Sequence, residues 1–287
     1  MKQFVITSDS TVDLPKEYLE EHQNTMLSLS YLVEGKTYED VHGLPSKEFY
    51  DKIRAGSQVI TSQVNPEQAK KIFETLIKKG NDILHIAFSS GLSGSYNSAQ
   101  LAAAELMEQY ENIHIEVIDS LSASMGEGLL LYKANEMKQA GRSLDEIASW
   151  LNQNKLHVCH NFTVDDLNHL QRGGRISKAT AVIGTAVNIK PILHVDNEGH
   201  LVNIGKVRGR KKSLLTLVEH MEKQAKGYEN NVVMISHGDC IEDAKLVESC
   251  VRERLGIENI IIHPVGAVIG THSGPGTIAL FFMGNPR

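Results

Sequence analysis

The run Ile83-Leu84-His85-Ile86-Ala87-Phe88 is apolar apart from one histidine. It predicts a strand whose two faces must both be covered. The chain then passes through Ser89-Ser90-Gly91-Leu92-Ser93-Gly94-Ser95 into a helix from Ser95 to about Tyr110. Along that helix Ala99, Ala102, Ala103, Leu106 and Tyr110 form one stripe at helical spacing. A buried strand leading into an amphipathic helix is half of a parallel β/α unit, and this constrains the fold more than any other feature.

The same rhythm fills the first half. Phe4 to Thr7 predicts a strand, and Asp13-Leu14-Pro15 a helix start with Asp13 as N-cap. Met26 to Val33 predicts one further strand, Ser46 caps a short helix ending near Gly56, and Asn65-Pro66 opens another closed by Gly80. A strand at Ile113 to Ile118, a helix from Met125 to Gly141 and a capping box at Ser143-Leu144-Asp145-Glu146 follow. The expectation for residues 1–155 is a parallel three-layer α/β/α domain.

The second half differs. Strands are expected at Leu156 to Val164, Val232 to Ser236, Ile260 to His263 and Ile278 to Met283. Lys190 to Val195 and His200 to Lys206 read as a hairpin across Asn197-Glu198-Gly199. Helices are expected at Asp165 to Leu170, Lys212 to Lys226 and Glu242 to Leu255. A hairpin beside a βαβ unit implies a mixed sheet, so residues 156–287 are expected to form an α+β domain.

A net charge of −6 argues against a general nucleic-acid binder. Three scattered cysteines, Cys159, Cys240 and Cys250, make no disulfide framework and point to a reducing compartment. The apolar run at the N-terminus is too short for a signal peptide, and no stretch is long enough to span a bilayer. A soluble, cytoplasmic protein is expected.

The Ser89–Ser95 turn carries hydroxyls and glycines but no lysine or arginine. Two readings stand beside each other: free backbone N–H groups at a helix start that favour one modest anion such as a carboxylate, or an ordinary serine-rich cap. Thr7-Ser8-Asp9-Ser10-Thr11 and Asp119-Ser120 to Ser124 also follow strands, where parallel sheets bind ligands. Gly91-Leu92-Ser93-Gly94-Ser95 lacks the last glycine of a nucleophile elbow, and a triad of Ser93 with His272 and Asp9 or Asp119 is the rival, enzymatic reading. His157-x-Cys159-His160 is too tightly spaced for a metal site and reads as core and surface alternation. Gly126-Glu127-Gly128 lacks the third glycine of a dinucleotide fingerprint, and Gly209 to Ser213 lacks P-loop spacing. Arg172 and Arg175 bracket a glycine pair, and Lys206, Arg208, Arg210, Lys211 and Lys212 form a cationic run, either a solvated face or a docking surface for an acidic partner. The glycine-dense segment Gly266 to Gly276 suggests close backbone approach to something, or a chain of tight turns, and its His272 is either satisfied locally or faces a ligand.

Seven of these stretches, in this order, resemble the DegV family of bacterial fatty-acid-binding proteins: Thr7-Ser8-Asp9-Ser10-Thr11 with Leu14-Pro15, Thr61-Ser62-Gln63 before Pro66, Ser90 to Tyr96, Asp119-Ser120, Leu170 to Ile176, Ile189 to Leu193, and His272-Ser273-Gly274-Pro275-Gly276. One departure is Gln171, where the family pattern has lysine. The resemblance implies a long-chain fatty acid in a tunnel between the two domains, with its carboxylate held by Thr61 and Ser93 and helped by the Gly94 amide. Ser62 and His272 are expected near the ligand, and Arg172, Arg175, Arg208 and Arg210 where a partner docks. It further implies a carrier for phospholipid metabolism, not a catalyst. The carrier would use no cofactor or metal and would present the acid to a separate, dihydroxyacetone-kinase-like fatty-acid kinase that makes acyl-phosphate. The alternative is a serine esterase or acyl transferase using Ser93 and His272.

Overall fold

A computed structural model describes residues 3–177 and 188–287. The first sheet is parallel, in the order β2-β1-β6-β7, built from β1 (Phe4–Asp9), β2 (Thr25–Leu27), β6 (Asp82–Ala87) and β7 (Ile115–Asp119). Every residue of β6 is buried. Ile83 and Ala87 join the core under α3 (Pro66–Ile77) and α4 (Ser95–Gln109). Leu84 and Ile86 join the opposite core with α5 (Met125–Gln139) and α6 (Leu144–Asn154). The apolar run is thus a central strand covered on both faces. Asn65 and Ser143 both complete capping boxes.

Two expected caps are not formed. Pro45, not Ser46, sits at the N-cap of α2 (Ser46–Arg54), without a side-chain bond. Pro15 occupies that position in α1 (Lys16–Glu21), while Asp13 takes a left-handed φ of 50° and turns its carboxyl inward. The expected strand Met26 to Val33 is also two strands. After β2 the chain leaves the parallel sheet, and β3 (Ser30–Val33) joins β4 (Lys36–Glu39) and β5 (Val59–Ser62) in a separate antiparallel sheet of order β4-β3-β5. Thr61 and Ser62 therefore lie on a strand, paired with Tyr31 and Ser30.

The second sheet has the order β10-β9-β8-β13-β11-β12. Its strands are β8 (Val158–Thr163), β9 (Ile189–Val195), β10 (Leu201–Arg208), β11 (Val233–His237), β12 (Ile260–Pro264) and β13 (Ile278–Met283). All neighbours are antiparallel except β11 and β12, so the sheet is mixed as expected. Short α7 (Leu167–Arg172) follows β8. The outer face packs on α8 (Arg210–Gln224) and α9 (Ile241–Leu255) through Leu217, Met221, Val247 and Leu280. The inner face shares one core with α5 through Phe162, Met234 and Phe281.

Helix α5 is the layer between the two sheets and is buried nearly all round in its first turns. Close approach explains the Gly126-Glu127-Gly128 sequence. A methyl at Gly126 would overlap the His160 ring, and one at Gly128 would lie 2.6 Å from the Val12 carbonyl oxygen. Strand β8 is buried along its whole length, so Cys159 and His160 do not alternate between core and surface. The glycine-dense segment is not a chain of turns: Ala267–Ser273 forms α10, and Gly274 and Gly276 behind it take positive φ.

Candidate functional site

The turn after β6 leaves no backbone donor for an anion. The amides of Leu92 and Ser93 donate to the Ser89 carbonyl, each at 3.0 Å. The Ser90 amide donates to Asp119, Gly91 to Ser89 Oγ, Gly94 to Gln63 Oε1 at 3.0 Å, and Ser95 to Ser93 Oγ. The anion-nest reading of this turn is therefore corrected: it is a self-satisfied cap. What it presents is a hydroxyl, Ser93 Oγ, 3.0 Å from Ser95 Oγ.

That hydroxyl lines a cavity of about 520 Å³ between the loops of the parallel sheet and the inner face of the mixed sheet. The volume is ordinary for a small-molecule site, roughly 300–1,000 Å³. Leu29, Phe88, Leu92, Phe162, Leu170 and Val265 give it apolar walls. Thr61, Ser62, Ser93, Arg175 and His272 also line it, so four of the seven segments converge on one space, while Thr7–Thr11, Asp119-Ser120 and Ile189 to Leu193 do not line it. A second groove of about 540 Å³, carrying Ile60, His169 and Arg172, shares Thr61, Arg175 and His272 with the cavity. Those three side chains form the partition between the interior and the outer groove.

Thr61 Oγ1 lies 2.8 Å from His272 Nε2. Burial and the neighbouring Arg175 push the His272 pKa down to about 4, so the ring is neutral at pH 7. Its Nδ1 is buried without a partner. Among the described residues no carboxylate orients it, and Ser93 bonds Ser95, not His272. Asp9 accepts from the Phe88 amide, and Asp119 from the amides of Ser90 and Leu121. The arrangement needed for a Ser–His–Asp triad is not assembled.

Arg175 was expected at a docking surface. It is half-buried in the cavity wall, donates to the Leu92 carbonyl at 3.0 Å and also reaches the Gly173 carbonyl. Arg210 is held by Asp243 at 2.7 Å. Arg172 and Arg208 are exposed, Arg172 beside His169 at 3.0 Å.

Sequence reasoning missed three residues of the cavity wall. His160 is fixed as a neutral ring, its Nδ1–H donating to the Val158 carbonyl at 3.0 Å and its Nε2 accepting the Ala123 amide. Ser124 donates to Asp13 at 2.5 Å and lies 3.1 Å from Ser236 Oγ. The signal for Ser124 was the hydroxyl-rich loop after β7; nothing local marked His160 or Ser236. Among the described residues no cluster of three or more metal-ligating side chains occurs, and no helix is long and apolar enough to cross a membrane.

The family model described as "Uncharacterised protein, DegV family" matches residues 3–285. A DegV domain-containing protein of Clostridium perfringens is 44% identical over 289 residues, covering 100% of this chain and 99% of its own. A structure reporting fatty-acid binding by a DegV family protein of Thermus thermophilus superposes with a TM-score of 0.90 at 28% identity, over 99% of this chain and 100% of that one. The structure of DegV, a fatty acid binding protein from Bacillus subtilis, gives 0.85 at 32% identity, over 99% and 100%. With a family match along nearly its whole length, a relative 44% identical across it and a shared fold, this chain belongs to the DegV family.

Proposed function

We propose that the chain binds one long-chain fatty acid, with its tail in the cavity and its carboxylate at the partition formed by Thr61, Arg175 and His272, within reach of Ser93. The observation that carries this is the asymmetry of the cavity. Its walls are apolar, while hydroxyls, a neutral imidazole and a guanidinium gather where it meets the outer groove. A tail of about fourteen methylenes at about 0.8 kcal/mol each would gross on the order of 11 kcal/mol before the cost of ordering it. The tail thus dominates affinity, and the head group must only be satisfied, since an unpaired buried polar group costs about 1–3 kcal/mol in proteins.

Arg175 favours the ionised acid at this position. If His272 Nε2–H donates to Thr61, the Thr61 hydroxyl hydrogen is free to donate to the carboxylate. Ser93 donates a second bond by turning from Ser95. The Gly94 amide becomes a helper only when Gln63 releases it. The chain acts as a carrier without a cofactor. Because the head group sits at the wall of an outer groove, a partner reaches it without emptying the cavity. That partner is a separate fatty-acid kinase, dihydroxyacetone-kinase-like, which docks on Arg172 and Arg208.

Native mass spectrometry of protein purified from a bacterial host tests the reading. A retained long-chain acid, one per chain, is expected. Lipid-free protein that also refuses hexadecanoate in titration calorimetry overturns it.

A further inference from the structure

Helix α10 is a strut between the two halves of the molecule. It carries His272 in its last turn, and its first turn is gripped by two carboxyls from far away in the chain. Asp13 Oδ1 accepts the Gly266 amide at 2.9 Å, and Asp40 Oδ1 accepts the Val268 amide at 3.1 Å. Each carboxyl is held from behind by a hydroxyl: Ser124 on Asp13 at 2.5 Å and Ser10 on Asp40 at 2.9 Å. Tyr50 donates to the Val265 carbonyl just ahead of the helix at 3.1 Å. Gly270 lies so close to Tyr50 and Phe49 that a side chain would not fit. The helix is thus seated at its start, along its flank, and at its end through His272 on Thr61.

Neither Asp13, which is buried, nor Asp40, which is half-buried, forms an ion pair with a lysine or arginine among the described residues. Burying a carboxyl without a cation is costly. Asp13 and Ser124, which bond each other, both hold positive φ of 50° and 53°, a backbone state that is costly for a non-glycine residue. Local cost retained at one place requires a use, and the shared target of both carboxyls is the first turn of α10.

We propose that Asp13 and Asp40 are positioning residues for head-group recognition: they clamp the first turn of α10 and thereby hold His272 against Thr61. This rests on the fatty-acid reading above. The clamp works through acceptor oxygens, so an asparagine keeps it and an alanine does not. Because Asp13 and Asp40 belong to the first half of the chain and α10 to the second, separating the halves breaks the clamp and the head-group site together. Acid capture and closure are then one event.

The test uses delipidated full-length protein carrying Asp13→Ala, Asp40→Ala, Asp13→Asn or Asp40→Asn. Affinity is measured for hexadecanoate and for hexadecan-1-ol, which has the same tail and no carboxylate. The alanine variants should weaken acid binding at least tenfold and alcohol binding less than twofold, and the asparagine variants should restore the acid. The ¹⁵N signals of His272 in ligand-free protein should move in the alanine variants toward those of Thr61→Val. If an aspartate variant does not fold, Ser10→Ala, which removes the hydroxyl behind Asp40 and the acceptor of the Leu29 amide, takes its place with a smaller effect of the same sign. Equal loss of acid and alcohol, or an unmoved His272 signal, overturns the proposal. If wild-type protein binds neither hexadecanoate nor the alcohol, the fatty-acid reading fails, while the His272 signal still decides whether the clamp exists.

Discussion

Thr61 and His272, 211 positions apart, meet at 2.8 Å at the edge of an apolar cavity. Thr61 is fixed by β5 pairing with β3, and His272 by a short helix wedged against that same small sheet. Their contact joins the two halves of the chain at the proposed head-group site.

Replacing Thr61 by valine keeps the shape of the side chain and removes its hydroxyl. A hydrogen bond to a charged group is worth about 1.5–3 kcal/mol, so hexadecanoate affinity should fall roughly 10- to 100-fold. The Ser93→Ala variant should show a loss of similar size. Titration calorimetry decides; a Thr61→Val Ser93→Ala double variant that binds the acid like wild type would rule out this head-group site.

Gly126→Ala pushes a methyl into the His160 ring. His160 cannot yield without losing its bonds to Val158 and Ala123, and it lines the cavity. Overpacking of this kind costs about 1–3 kcal/mol. Urea unfolding should show the loss, and the purified variant should retain less lipid than wild type.

Asp13 should contribute a decline in stability as pH rises from 6.5 to 8. Burial raises the Asp13 carboxyl to about 8 in the folded protein, while the unfolded chain releases that proton near 4. Between these values the native state holds the extra proton, so its advantage is complete below pH 4 and is lost as pH climbs through 8. The buried histidines, among them His85 pushed down to about 3, His272 pushed down to about 4 and His160 pushed well down, act with the opposite sign as pH rises through about 6.5, so the Asp13 contribution is read from its variant. Asp13→Asn mimics the neutral acid and should flatten the decline in urea midpoints measured at pH 6.5, 7.5 and 8.5. A slope unchanged from wild type would contradict the assignment.

Charge reversal at the two exposed arginines, Arg172→Glu and Arg208→Glu, should slow association with a fatty-acid kinase and reduce the salt dependence of that association. Hexadecanoate binding by the isolated chain should stay within twofold, because neither residue lines the cavity. Stopped-flow association at low and high salt reads the effect; rates equal to wild type remove Arg172 and Arg208 from the docking surface.

The sequence alone determined the local elements wherever neighbours in the chain decide conformation. The run Ile83 to Phe88, the Asn65 and Ser143 capping boxes and the final strand at Ile278 to Met283 were all readable, because their periods and caps depend on residues a few positions apart. The hydroxyl segments were legible as a set. Only the tertiary structure decided what those hydroxyls do. It split Met26 to Val33 between two sheets, because each piece found a different pairing partner. It closed the amides of the Ser89–Ser95 turn on oxygens from Gln63, Asp119 and the turn itself, leaving Ser93 Oγ as the polar group the turn presents to the cavity. It moved Arg175 from an expected surface into the cavity wall and turned Asp13 from a helix cap into a carboxyl that holds α10. Each of these depends on partners tens to hundreds of residues away, and such contacts exist only once the whole core has packed.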